Sequence, residues 1–221
     1  MKNKPLYLIL LISILTFISV TYIFTAKHGY MYDQAIIDWI DRTSSATLVK
    51  TMELVSMLGS SEVILLVTFV IAAIFMMRKN WSFMIFFMIV SVGGVFLNLL
   101  LKLLFQRERP GEMSNIEVFN YSLEIPSYSF PSGHTMRATI LLVFLMYISA
   151  RFIRNAALRF ISYMACTVVI IGIPLSRLFL EAHFLSDTIA AMSISIAWFC
   201  LCLLVFRKYN DRKAEAVYLR W

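Results

Sequence analysis

Six long apolar segments account for most of this chain, and they restrict its fold more than any other feature. They lie at 6–26, 60–77, 81–101, 135–150, 157–175 and 188–206. Each is close to the roughly 20 residues that a helix needs to cross a bilayer. With 60% hydrophobic and 15% charged residues among 221, the chain is too apolar for an ordinary soluble domain. We therefore predict an all-α fold, one membrane-embedded domain (1–221) with six transmembrane helices.

The distribution of lysine and arginine predicts the orientation of the bundle. With a cytoplasmic N-terminus, six spans place both termini on the cytoplasmic side. The cytoplasmic set is then Lys2, Lys4, Arg78, Lys79, Arg151, Arg154, Arg159, Arg207, Lys208, Arg212, Lys213 and Arg220, and the opposite set is Lys27, Arg42, Lys50, Lys102, Arg107, Arg109, Arg137 and Arg177. This excess on the side of the termini satisfies the positive-inside rule. The net charge of +7 indicates contact with anionic lipid headgroups and no nucleic-acid partner.

The first apolar segment has two interpretations, a cleaved signal peptide or a retained helix. The run from Leu6 to Ala26 is long and contains no small-x-small cleavage site, which favours the retained helix. The three cysteines, Cys166, Cys200 and Cys202, all fall within predicted spans. We therefore expect free, buried thiols that form neither a disulfide nor a metal site.

An amphipathic segment at 33–58 follows the first span. Its apolar stripe consists of Ile36, Ile37, Ile40, Leu48, Met52 and Val55, and its acidic residues Asp33, Asp38, Asp41 and Glu53 are expected to face water or headgroups. The pattern predicts an interfacial helix that covers the bundle. A direct part in substrate binding is the alternative.

Three polar segments interrupt the apolar chain, and the first is 102–110. Lys102 is predicted to lie in the last turn of the third span, with Arg109 just beyond it. Pro110 disfavours helical geometry at Arg109. Both cations would then lie at one membrane face, where a phosphate headgroup arrives. Alternatively, the side chains of Lys102, Arg107 and Arg109 only extend from the bilayer to the interface.

The second polar segment is Pro131-Ser132-Gly133-His134, at the start of the fourth span. Ser132 is a natural N-cap, and Gly133 allows a ligand to approach the backbone closely. Free amides and the helix dipole make such an end a binding site for anions. A capped helix start without any ligand is the alternative.

The third polar segment, 176–187, contains Arg177, His183 and Asp187. If the segment is helical, residues four apart share a face. Asp187 would then hydrogen-bond one ring nitrogen of His183 and leave the other for attack, as in a nucleophilic histidine. A purely stabilising pair at the interface is the alternative. Arg177, at the outer end of the fifth span, would reach the same anion.

Together the three segments read Lys-x6-Arg-Pro, Pro-Ser-Gly-His and Ser-Arg-x5-His-x3-Asp. This arrangement resembles the three-part signature of the type 2 phosphatidic acid phosphatase (PAP2) superfamily, in its six-helix membrane branch. The resemblance covers a motif-bearing core at roughly 59–191. Glu181, Leu185 and Ala191 depart from it, standing where many relatives carry Gly, Pro and Gly.

The resemblance implies a role for each matching residue. His183 would be the nucleophile that forms a phosphohistidine, Asp187 would hold its tautomer, and His134 would protonate the leaving oxygen. The phosphate would be bound by Lys102, Arg109, Ser132, Gly133 and Arg177. No metal ion and no cofactor are expected, because the cations and the helix terminus take the place of Mg²⁺.

The expected function is hydrolysis of a membrane lipid phosphate at the extracytoplasmic face of the cell membrane. By resemblance, phosphatidylglycerophosphate or phosphatidic acid is the favoured substrate, with broad specificity, and undecaprenyl pyrophosphate is the alternative. A lipid-phosphate transporter or non-catalytic binding protein is the alternative of another class. His183 and Asp187 argue against it, because binding needs cations whereas only catalysis needs an oriented imidazole. Membrane lipids are the expected partners, with no obligate protein partner.

Overall fold

The computed structural model describes residues 3–25, 29–110, 116–118, 121–123 and 128–218. In chain order, its elements are α1 (Lys4–Thr25), α2 (Gly29–Thr43), α3 (Ala46–Met57), α4 (Ser61–Met77), α5 (Trp81–Phe105), β1 (Ile116–Val118), β2 (Tyr121–Leu123), α6 (Gly133–Phe152), α7 (Ala156–Phe179) and α8 (Leu185–Tyr218).

The predicted all-α membrane bundle is confirmed. Six helical segments are long and apolar enough to cross a membrane, and the second of them joins α3 and α4 into Ala46–Met77. Large apolar side chains cover the outside, among them Leu65 and Phe69, which are 68% and 73% exposed. A surface of this kind requires lipid around it. The departure from the all-helical prediction, within the described residues, is a short antiparallel hairpin of β1 and β2 between α5 and α6.

The centre of the bundle is formed by α6 and α8. About half of the apolar window of each is buried, 44% for α6 and 50% for α8, against 6% for α1. α1 packs along α8 at the periphery. Aromatic rings pack against one another in the core, with the tilted rings of Phe87 and Phe144 at a centroid distance of 4.5 Å. The three cysteines are buried and free, as predicted.

The amphipathic segment forms two helices, α2 and α3, and α3 belongs to the second apolar span together with α4. Ile37 and Ile40 are buried, whereas Asp38 and Asp41 are exposed. The prediction that Asp33 faces water is wrong, because this side chain is buried and has an arginine partner. α3 packs on α7, so the segment contacts the bundle at both of its helices.

Two adjacent glycines, Gly93 and Gly94, let α5 approach its neighbours closely. A Cβ on Gly93 would lie 2.5 Å from Cζ2 of Trp198 in α8. A Cβ on Gly94 would lie 2.3 Å from Cδ1 of Ile140 in α6. The Trp198 indole is held by a hydrogen bond from its Nε1 to the carbonyl of Val90, at 3.0 Å. The Ile140 methyl ends a flexible chain, so the two sites differ in their tolerance of extra volume.

We predict that Gly93→Ala lowers the free energy of unfolding by about 1–3 kcal/mol, because the fixed indole cannot move away from the new methyl group. Gly94→Ala is the matched control and is expected to cost less, since Ile140 can change rotamer. Denaturant unfolding in detergent micelles, followed by tryptophan fluorescence, measures both. Unchanged stability of Gly93→Ala would contradict the prediction.

Candidate functional site

The three polar segments of the sequence meet at one end of the bundle, where α5 and α7 end and α6 and α8 begin. The backbone N–H of Ser132 donates to the carbonyl of Asp187 at 3.2 Å. A Cβ on Gly133 would lie 3.9 Å from Cε of Lys102. The starts of α6 and α8 and the end of α5 are therefore in direct contact.

Both histidines of these segments lie within the same cluster of cations. His134, in the first turn of α6, interacts electrostatically with Arg177, His183 and Arg109. His183 interacts in turn with Arg109 and Lys102. The structure thus brings together all the residues that the sequence analysis singled out for the site, from segments up to 85 positions apart in the printed sequence.

Lys102 occupies the last turn of α5, as predicted. The helix ends after Phe105, where Gln106 adopts a left-handed conformation with φ of 45° and donates its N–H to the Lys102 carbonyl at 3.0 Å. The Lys102 ammonium donates to the carbonyl of Tyr128 in the loop before α6. Arg109 lies beyond the helix, where burial lowers its pKa and the carboxylate of Asp187 opposes this effect.

The start of α6 matches the prediction in position but differs in its hydrogen bonds. Ser132 is the N-cap residue, yet its side chain makes no capping bond to the helix backbone. Its hydroxyl instead accepts a hydrogen bond from Thr135 Oγ1 at 3.0 Å. Gly133 also leaves room for its neighbour, because a Cβ there would lie only 3.3 Å from Oδ1 of Asn98. Asn98 fixes the segment by donating from Nδ2 to the carbonyl of Pro131 at 3.1 Å.

His183 and Asp187 form a pair, but not on one helix as the four-residue spacing predicted. His183 lies in a bend before α8, and Asp187 lies in the first turn of that helix. The carboxylate accepts the backbone N–H of Phe184 at 2.9 Å, as an acidic N3 residue does in a capping box. This bond holds the Asp187 carboxylate 3.5 Å from Nδ1 of His183.

Ser129 connects this pair, and the sequence analysis did not identify it. Its Oγ lies 3.2 Å from His183 Nδ1 and donates to Oδ2 of Asp187. If the Ser129 hydroxyl donates its hydrogen bond to the carboxylate, its oxygen can accept a hydrogen bond from Nδ1–H of His183. Nε2 of His183 then carries the lone pair. Nothing in the sequence distinguished Ser129 from the other serines of the same loop.

Burial determines the protonation of His183. The side chain is 1% exposed, and burial lowers its pKa to about 4 although the hydrogen bond with Asp187 acts in the opposite direction. The imidazole is therefore neutral near neutral pH. A neutral ring whose Nδ1 is occupied presents Nε2 as a nucleophile.

Arg107 is a second residue that sequence analysis placed only among possible interface cations. It donates to Asp187 Oδ1 at 2.7 Å, to Ser186 Oγ at 2.6 Å and to Asp33 Oδ2 at 2.7 Å. Its guanidinium carbon lies 4.5 Å from the ring centroid of Phe24 and 4.2 Å from that of Phe184. Two carboxylates and two aromatic faces thus balance the charge of a buried cation.

The partner of Arg107 on the amphipathic segment is Asp33 in α2. Asp33 also accepts the backbone N–H of Ser186 at 3.1 Å and the Ser186 hydroxyl. This is the physical reason that Asp33 is buried rather than exposed to water. Periodicity alone suggested an outward face, and no sequence signal paired Asp33 with a residue 74 positions away.

Arg177, in the last turn of α7, is held by a hydrogen bond to a residue of the same amphipathic segment. Its Nη1 donates to Ser56 Oγ in α3 at 2.8 Å. Its Nε is buried and has no hydrogen-bond partner among the described residues. An arginine held at one nitrogen and unsatisfied at another is suited to bind an anion.

One of the positions that depart from the family signature has an unusual backbone. Glu181 has φ of 48°, in the left-handed region that favours glycine. A residue with a side chain thus adopts here a conformation that glycine adopts more easily. The Glu181 carboxyl lies near Asp41, and both burial and that neighbour raise its pKa.

Comparison with known proteins agrees with this geometry. The sequence pattern of the PAP2 superfamily matches residues 81–211. A curated relative, phosphatidylglycerophosphatase B of Bacillus subtilis (strain 168), is 28% identical over 151 residues, which cover 65% of this chain and 68% of that protein.

A solved structure has the same fold. The transmembrane PAP2 type phosphatidylglycerolphosphate phosphatase from Bacillus subtilis superposes with a TM-score of 0.74 at 22% identity, covering 92% of this chain and 96% of the other. The family pattern extends over more than half of the chain and includes all three polar segments. This chain belongs to the PAP2 superfamily.

Proposed function

We propose that this protein is a lipid phosphatase that hydrolyses a phosphate group of a membrane lipid through a phosphohistidine. The observation that carries the proposal is the state of His183, a buried neutral imidazole whose Nδ1 is held by Ser129 and Asp187 inside a cluster of cations. A protein that only bound or carried the lipid would need the cations, but not an oriented nucleophile.

In the first step, Nε2 of His183 attacks the phosphorus atom, and the bond from phosphorus to the lipid oxygen breaks. His134 gives a proton to the departing oxygen, so a lipid alcohol leaves and a phosphohistidine remains. Asp187 stabilises the positive charge that develops on the ring of His183. Its short distance from Nδ1 supports this role.

In the second step, a water molecule attacks the phosphohistidine. His134, now neutral, accepts a proton from this water. The bond between phosphorus and Nε2 breaks, inorganic phosphate leaves, and His183 returns to the neutral state. His134 lies at the start of α6, close to the same cations as His183. These cations disfavour a charged ring, so the negative charge of the bound phosphate would be needed to keep His134 protonated for the first step.

The transition state carries negative charge on three oxygens, which fixed positive groups stabilise. We assign this role to Lys102, Arg109, Arg177, the Ser132 hydroxyl and the Gly133 amide. These groups come from the ends of α5 and α7 and the start of α6, so the fold itself would hold them ready for the phosphate. We propose that they make a metal ion unnecessary.

The favoured substrate is phosphatidylglycerophosphate, with phosphatidic acid accepted as well. The support comes from the two Bacillus subtilis proteins, each named for a phosphatidylglycerophosphate phosphatase activity. Undecaprenyl pyrophosphate remains the second candidate, since the same cation cluster suits a terminal phosphate of any lipid.

We further propose that both termini are cytoplasmic and that the site faces the extracytoplasmic side of the cell membrane. The lysine and arginine excess near the termini supports this orientation. All the candidate site residues lie at the opposite end of the bundle from the short loop at Arg78 and Lys79, which carries part of that excess.

We predict that His183→Ala reduces phosphate release by roughly 10³-fold or more, because no other described side chain is placed to form the covalent intermediate. The assay measures phosphate released from phosphatidylglycerophosphate and phosphatidic acid in detergent. Wild type trapped with labelled substrate should carry an acid-labile phosphate that the variant lacks. Glu181→Ala, an exposed change in the same connection, is the matched control with unchanged activity.

Equal release by wild type and His183→Ala would overturn the nucleophile assignment. Lipid binding by wild type without any release would establish a binding protein instead. The phosphate-release assay and the trapping experiment are both run with EDTA. Activity that disappears with EDTA and returns with Mg²⁺ would contradict the metal-free part of the proposal.

We predict that Asp33→Asn lowers kcat about tenfold with little change in KM, since Asp33 positions Arg107 and Asp187 without touching substrate. Asp38→Asn, on the exposed face of α2, is the control with wild-type kinetics. Arg107→Lys should cost more than Asp33→Asn, because an ammonium cannot serve Asp33, Ser186 and Asp187 together. A KM effect alone for Asp33→Asn would argue against a positioning role.

We predict that a cysteine placed at Glu53 reacts with a membrane-impermeant maleimide in intact cells. A cysteine placed at Arg154 should react only after permeabilisation, because it lies in the connection between α6 and α7. Both positions are exposed, while the native cysteines are buried. The reverse labelling pattern would invert the proposed orientation.

A further inference from the structure

A groove on the membrane-facing side of the bundle leads to the candidate site. It lies between α4, α5 and α6, and its outer walls are Leu65, Val92 and Val95, which are 68%, 43% and 48% exposed. Its polar lining consists of Ser61, Thr68, Ser91 and Arg137. The groove is mainly apolar, with the buried Ile140 and Leu141 at its floor and Arg137 as the charged member of its lining, which matches a lipid whose chains remain in the bilayer.

Arg137 is the unusual residue of this groove. It belongs to none of the three motif segments, and it lies on α6 one turn after His134. Its Nε is buried and has no hydrogen-bond partner among the described residues. Glu62 interacts with it electrostatically but forms no ion pair with it. A cation in such a position is costly without an anion, so it indicates a ligand.

Arg137 adjoins the phosphate site without being part of the cluster assigned to it. Its Nη1 lies 3.7 Å from the position of a Cβ on Gly133, and Cε of Lys102 lies 3.9 Å from the same point. The Arg137 and Lys102 side chains are therefore separated by no more than the sum of these distances. Arg137 also interacts electrostatically with His134 and Arg177.

The groove distinguishes the ligand of Arg137 from the scissile phosphate. Arg137 lines the groove, whereas the cations assigned to the scissile phosphate, Lys102, Arg109 and Arg177, do not. Its guanidinium therefore adjoins the phosphate site on the side that opens to the lipid-facing groove, from which the acyl chains approach. In a lipid with two phosphates, the inner phosphate lies between the terminal phosphate and the chains.

We propose that Arg137 binds a second phosphate group of the substrate, one that is retained in the product. The ligand class is a lipid with two phosphates, joined either through a glycerol unit or as a pyrophosphate. The proposal rests on the lipid phosphatase function, and it makes Arg137 a specificity-determining residue. The hydroxyls of Ser61, Thr68 and Ser91 line the same groove and are available to the remaining oxygens of the inner phosphate or to the glycerol.

The test compares Arg137→Gln with wild type on phosphatidylglycerophosphate, undecaprenyl pyrophosphate and phosphatidic acid. A hydrogen-bonded charge pair corresponds to a loss of roughly 10- to 100-fold in kcat/KM, expected for at least one of the two lipids with a second phosphate. Phosphatidic acid has one phosphate and should be hydrolysed within about threefold of the wild-type rate, which also shows that the variant is folded. Arg137→Lys should recover part of the loss, and Lys50→Gln, an exposed change, is the control.

Each outcome decides the proposal. Loss confined to phosphatidylglycerophosphate supports a glycerol-linked ligand, and loss confined to undecaprenyl pyrophosphate supports an anhydride-linked one. An equal loss on all three lipids, phosphatidic acid included, would place Arg137 on the scissile phosphate and overturn the proposal. No loss on any lipid would overturn it as well.

A failure of the proposed function is distinguishable from these results, because wild type would then hydrolyse none of the lipids. In that case, equilibrium binding of phosphatidylglycerophosphate and phosphatidic acid to wild type and Arg137→Gln still tests the subsite. A selective loss of phosphatidylglycerophosphate binding supports the subsite, and equal binding by both proteins overturns it.

Discussion

The rest of the site depends on the ion pairs that the buried guanidinium of Arg107 forms. Arg107 follows the end of α5 and reaches Asp187 at the start of α8 and Asp33 in α2. Each of these groups would be costly to bury alone, and together they neutralise one another. The arrangement fixes the Asp187 carboxylate, and that carboxylate orients His183. One ion-pair network thus connects the packing of three elements to the protonation of a single ring nitrogen.

The charged side chains of the site form two layers, one with paired charges and one with an excess of positive charge. Asp187, with Arg107 and Asp33 behind it, forms an inner layer in which charges are paired. Lys102, Arg109, Arg177 and Arg137 form a second layer whose positive charge exceeds that of the nearby carboxylates. The paired layer favours rigidity, while the excess of positive charge in the other layer favours the binding of an anion.

Much of this structure could be predicted from the sequence, for identifiable reasons. Hydrophobic runs of membrane length gave the six spans, because a bilayer imposes a length and an apolar surface. The motif residues could be grouped because they occur at the ends of spans, and alternate ends of successive spans lie at one face. The two short strands were not predicted, since three-residue pairings leave almost no periodic signal.

What the sequence did not reveal depends on contacts between distant segments. Spacing suggested that His183 and Asp187 share a helix, but the helix begins only after Phe184. Amphipathic periodicity placed Asp33 in water, because a buried carboxylate with a tertiary partner looks the same in sequence as an exposed one. Ser129 and Arg137 were overlooked for a similar reason. A hydroxyl in a loop and a cation on a helix acquire meaning only when their neighbours are known.

Residues outside the family-matching region hold two arginines of the site in place, so that region does not form the site on its own. Phe24, Asp33 and Ser56 all precede residue 81, yet they hold Arg107 and Arg177 in place. The signature-bearing half of the chain is therefore not a separable module. Substitutions in α1, α2 and α3 are therefore expected to alter turnover even when every motif residue is retained.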